Sequence, residues 1–141
     1  MAEMTQERIA FIVFDRDHAL AVAEAAAETG VPVCLLSPPH GASILGADVF
    51  KAIVADARVR FPEADISAVL DCGDEPGTAL GAVRHGIEAV SLAVEPEILE
   101  RIADMASQSG TEVTERTTDA YDLSRSADPA ADAQRWISKR R

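Results

Sequence analysis

Short apolar runs and longer stretches of helical periodicity alternate along most of the chain, and the alternation stops near residue 117. Ile9 to Phe14 is apolar without alternation, the pattern of a strand covered on both faces in a parallel sheet. After Asp15-Arg16-Asp17, a helix of Ala, Val, Leu and Glu runs from His18 to Thr29, with Asp17 at its N-cap and Gly30 as its C′ glycine. Val31 to Leu36 predicts a second strand, and Pro32, lacking a ladder donor, belongs at its start or on an edge. The segment 37–46 holds two prolines, His40, two glycines and the apolar pair Ile44-Leu45. It exceeds the ~2–6 residues usual between strand and helix, so it reads as a lid or a subunit contact. A helix follows from Ala47 to Arg60, ended by Phe61-Pro62.

Ala68 to Gly86 repeats this grammar in one unit. A strand from Ile66 to Leu70 breaks at Asp71-Cys72-Gly73, and a helix with Asp74 as N-cap and Pro76 in its first turn stops at His85-Gly86. Then come a strand over Ala89–Leu92, a helix from Glu95-Pro96 to about Ser109 with Ile98, Leu99, Ile102, Met105 and Ala106 on one stripe, and a polar edge strand over Thr111–Glu115. Residues 117–127 have turn composition. Asp128-Pro129 opens a last helix whose Ala133, Trp136 and Ile137 share a face, an arm that docks because an indole buries a large area.

The order β-α-β-α-β-α-β-α-β predicts a three-layer α/β/α core over 1–116 with a mostly parallel five-stranded sheet, and a C-terminal extension over 117–141. The favoured topology is flavodoxin-like or Rossmann-like with strand order 2-1-3-4-5, which places strands one and three side by side and Asp15 near Asp71. The alternative is sequential order, a half-(β/α)8 barrel that dimerises to close its sheet.

The 141 residues are 48% hydrophobic, which suits one core, and the net charge of -11 sets aside nucleic acid and anionic membrane surfaces as partners. Without a leader pattern or an apolar run near ~20 residues, a cytoplasmic protein is expected. Cys34 and Cys72 are expected as reduced thiols.

Polar residues gather at predicted strand ends, where open α/β sheets bind ligands. Asp15 and Asp71 are candidates for acid–base work or for holding Mg²⁺; His40 is a candidate base and Cys72 a candidate nucleophile before a helix N-terminus. Against a catalytic Cys72 stand the acids around it, which raise a thiol pKa. Arg16, Ser37, Gly73, Asp74 and Ser91 are candidate ligand contacts, with Arg16 the one cation expected at the rim. His18 and His85 are expected exposed at helix ends.

Three families are set aside by missing residues. Asp15-Arg16-Asp17 is similar to the Asp-x-Asp of haloacid-dehalogenase-type phosphotransferases, but Ala19 stands where Thr or Val is needed and no later lysine suits the phosphate. The acids are placed as in a response-regulator receiver, but Glu115-Arg116 occupies the place of its lysine. A Schiff-base aldolase needs a lysine in the site, and the chain has only Lys51 and Lys139. What remains is a ligand-binding or assembly module, a homo-oligomer through the 37–46 loop and the C-terminal arm. The alternative is a metal-assisted lyase or hydrolase on a small polar substrate.

Overall fold

The computed structural model describes residues 8–141. Its elements are β1 (Ile9–Ile12), α1 (Arg16–Thr29), β2 (Val33–Leu36), α2 (Gly41–Ile44), α3 (Ala47–Arg60), β3 (Ile66–Asp71), α4 (Pro76–Arg84), β4 (Ala89–Ser91), α5 (Pro96–Ser107), β5 (Glu112–Thr114), β6 (Ala120–Asp122), a 3-10 turn (Leu123–Arg125) and α6 (Pro129–Arg140). The protein is α/β with a mostly parallel six-stranded sheet, in the order β5-β4-β3-β2-β1-β6.

That order corrects the expected 2-1-3-4-5. β1 pairs in parallel with β2 through Ile12 and Leu36, and with β6 through Ile12 and Asp122. Both of its edges are occupied, so β3 is not its neighbour. From β1 to β5 the order is sequential, as in the alternative topology. The sixth strand lies where turn composition was read: three residues between polar flanks leave too short a pattern for a period of two to register.

The chain divides into two compact units. The first takes the chain as far as Leu36, with Ile53–Ser67 and Asp119–Arg141. Its α1 is capped by Asp15, not Asp17: the Asp15 carboxylate accepts the His18 N–H at 2.9 Å, and Asp17 falls in the first turn. There its charge suits the positive end of the helix dipole. Gly30 closes the helix in the left-handed region at φ 74°. At the other end of the chain Asp128 caps α6 by accepting the Ala131 N–H. α6 packs on α1, with Ala133 and Ile137 wholly buried, so the arm docks on its own chain. Trp136 lies between the Tyr121 ring, 5.2 Å away, and the Arg140 guanidinium, 3.3 Å from the ring centre. Ser126 and Tyr121 donate to Asp132, and Arg135 pairs with it. These contacts, Ser126 foremost, hold the Asp132 carboxyl below the usual range.

The second unit comprises Ser37–Ala52 and Ala68–Thr118. β3, β4 and β5 run parallel there, with Asp71, Ser91 and Thr114 in register across their carboxyl ends. β5 lies at the sheet edge, as its polar alternation predicts. α4 packs on α5. Phe50, Leu70, Val90, Ile102 and Ala106 are buried, while Met105, placed on the apolar stripe of its helix, is 52% exposed. Among the described residues, no helix is long and apolar enough to cross a membrane.

Candidate functional site

β3 ends on Asp71, whose side chain is 7% exposed. Three hydrogen bonds meet its carboxylate. Ser91, its register partner, donates Oγ to Oδ1 at 2.6 Å; the His40 and Gly73 N–H groups donate to Oδ2 at 2.7 and 3.2 Å. Arg116 Nη1 stands 3.8 Å from Oδ1, close enough for charge attraction and too far for a hydrogen bond. Arg116 Nη2 donates to the Ser37 carbonyl at 3.0 Å, and Ser37 Oγ accepts the N–H of Asp71 at 2.8 Å. A carboxylate offers about four acceptor positions. Here three of them are taken by donors of the protein itself, so Asp71 ties the 37–46 segment, the turn after β3 and the end of β4 together.

The local sequence permits this convergence. Gly73 sits at φ 59°, and a Cβ there would overlap the His40 ring, so only glycine lets the turn after β3 pass the 37–46 segment. His40 is the one non-glycine in the left-handed region among the described residues, at φ 59°. That conformation costs on the order of 1 kcal/mol. Its N–H bond to Asp71 offsets the cost, and its carbonyl accepts from Ser43 and Ile44 at 2.9 and 3.0 Å. The 37–46 segment, expected as a lid or subunit patch, is thus folded around α2. Ile44 remains 66% exposed, and Val49 on the next helix 49%.

The other candidates fall in three places. Cys72 is buried, and that burial, followed by the charges of Asp71 and Glu75, pushes its thiol up to about 12. At neutral pH the sulfur keeps its proton, which removes the thiolate a nucleophile needs. His40, Asp74 and Glu75 form an exposed group whose ligand atoms lie within 4.8 Å of one another. Asp74 is not the N-cap of α4; Glu75 stands there and makes no capping bond, its Oε1 accepting instead from Thr78 Oγ1 at 2.9 Å. Of the expected carboxylate pair, Asp15 caps α1 in the first unit and Asp71 holds loops in the second. Arg16 pairs with Asp56 at 3.1 Å on an exposed surface.

Arg116 is the rim cation that sequence reading overlooked. Its signal was available: the residue follows the fifth predicted strand, and the rule that selected Asp15 and Asp71 selects it too. It borders a groove of about 680 Å³ lined by Leu92, Ala93, Val94, Glu95, Leu99, Glu115 and itself. Of the two histidines expected exposed at helix ends, His85 is exposed and His18 is not. His18 is 12% exposed along its side chain, its Nδ1 accepting the Phe14 N–H at 3.0 Å, because its helix starts earlier than predicted. His85 Nδ1 lies 2.9 Å from Asp48 Oδ1, and Lys51 Nζ donates to the His85 carbonyl at 2.9 Å.

No family model matches the chain, and no curated protein matches it. Among solved structures it is similar to the crystal structure of a "putative fructose-1,6-biphosphate aldolase" from Coccidioides immitis, with a TM-score of 0.63 and 18% identity. The match covers 79% of this chain and 42% of that one, so the chain spans less than half the length of that protein. The likeness is one of α/β fold.

Proposed function

We propose that the protein is a ligand-binding module whose site lies at the carboxyl ends of the strands in its second unit, and whose buried acid shapes that site instead of exchanging protons in it. One observation carries this reading. Both oxygens of Asp71 are engaged by His40, Gly73 and Ser91, with Arg116 alongside, and the same arginine borders an apolar-lined groove. A concave, mostly apolar lining with few polar groups is the usual form of a small-molecule site. An aldolase activity of the Schiff-base kind has little support, since Lys51 is engaged with the His85 carbonyl and Lys139 lies on the exposed face of α6. The test is a screen of chemically mixed small fragments by two-dimensional NMR. Shifts gathered on the amides of Ala93, Glu95 and Arg116 are expected; hits confined to other surfaces would remove the proposal.

A second reading, the metal-assisted lyase or hydrolase, draws on the His40, Asp74 and Glu75 group. It expects millimolar Mg²⁺ or Mn²⁺ to raise the denaturation midpoint and Glu75→Gln to abolish the rise. The binding-module reading expects no change with either ion.

A further inference from the structure

We infer that the groove beside Arg116 takes a small monocarboxylate with a short apolar body. The inference rests on the binding-module reading and names the chemistry of its ligand. Three features of the groove carry it.

The first is the fixed guanidinium. Arg116 is 24% exposed along its side chain, anchored through Nη2 to the Ser37 carbonyl and drawn toward Asp71 through Nη1. A guanidinium carries five N–H donors in a planar fork. Among the described residues its one hydrogen bond is the Nη2 bond to Ser37, so donors remain for an acceptor entering the groove. A fork already held in place loses little side-chain freedom when it binds, and its geometry matches the two oxygens of a carboxylate.

The second is the lining. Leu92, Ala93 and Val94 from the β4–α5 connection and Leu99 from α5 supply apolar surface next to the guanidinium. Acetate or formate would leave that surface in contact with water, whereas a branched chain of a few carbons covers it.

The third is charge. Glu95 and Glu115 border the same groove, and the chain as a whole carries -11. The fork would suit a phosphate monoester equally well in shape. A dianion meets two glutamates and one arginine, however, and like charges across a binding surface select against it. A monoanion gains the arginine and places its uncharged end near the acids.

The measurement is titration of the protein with 4-methylpentanoate, 4-methylpentanamide and inorganic phosphate, followed by backbone amide NMR. The carboxylate is expected to shift the amides of Ala93 to Glu95 and Arg116 with Kd on the order of 1 mM, fitting for so few atoms. The neutral amide is expected about tenfold weaker, which is the loss of one good polar contact, and phosphate should leave the groove unchanged. Arg116→Gln should lose at least about tenfold in affinity. Because Arg116 also touches Ser37, Ala93→Phe provides the independent variant: it fills the groove from an exposed position and should abolish binding while leaving the His40 amide where it is. Equal binding of the amide, tighter binding of phosphate, or carboxylate shifts that survive Ala93→Phe would each overturn the inference. Groove hits from neutral or cationic fragments alone would overturn it while leaving the binding-module reading in place, and a groove silent to every fragment would remove both.

Discussion

Two acid-rich stretches of this protein are placed alike: residues 15–17 and 71–75 each lie where a strand gives way to a helix. They end up in opposite electrostatic situations. Asp15 gives one oxygen to one backbone N–H, stays largely in water, and has Arg16 beside it reaching away to Asp56. Asp71 is buried and ties together the backbone of two loops and the side chains of Ser91 and Arg116. The difference lies in the surroundings. The Asp15 side chain is 60% exposed, whereas the folded 37–46 segment and the strand-end residue Ser91 converge on Asp71. An acid at a strand end becomes a hub only when neighbouring loops aim donors at it, since burying an unmet carboxylate costs several kcal/mol.

The comparison breaks most directly at Asp71. Asp71→Ala leaves the His40 and Gly73 N–H groups and the Ser91 hydroxyl without an acceptor, and the expected loss is about 3–5 kcal/mol in urea denaturation. Asp71→Asn keeps one acceptor oxygen and should lose less. Next in size is Asp15→Ala, expected to cost about 1 kcal/mol as the loss of an N-cap; Arg16→Ala beside it, at an exposed pair, should change stability by less than about 0.5 kcal/mol. If Asp71→Ala and Asp15→Ala prove equally costly, the distinction between hub and cap fails.

Two pH-linked effects sharpen the contrast. With its folded value raised above the usual 9.0, the Cys72 thiol contributes stability that is fully present below that value and is lost as pH rises toward about 12. Iodoacetamide labelling of the native protein, mapped by peptide mass, should therefore leave Cys72 unmodified at neutral pH; modification faster than global unfolding would contradict the burial described. Asp132 works in the other direction. Its folded value is lowered, so its contribution is present above the ordinary aspartate range and is lost as pH falls through and below it. The expected readout is a small change of Trp136 fluorescence in acid, reduced in Asp132→Asn.

The alternation of strands and helices was legible along the chain because each element carries its own period and its own stop. Gly30 and Gly110 at positive φ, Pro76, Pro96 and Pro129 in first turns, and the apolar run at β1 act over a few residues and owe nothing to distant neighbours. The candidate site was half legible. Asp71, Ser37, Gly73, Ser91 and His40 were picked out by their places after strands, and the structure brings these five together. Asp15 was joined to them on a strand order that the sheet does not have, and Arg116 was passed over because the strand before it looked weak.

Local spacing determined which residues are strand, helix, cap and turn, since those choices depend on contacts within a few positions. Strand order, the three-residue β6 on the free edge of β1, the docking of α6 on α1, and the donors around Asp71 were decided only by the tertiary structure. Parallel strands with similar apolar faces can be placed side by side in more than one order. The choice among them rests on contacts between residues dozens of positions apart, which no local pattern records.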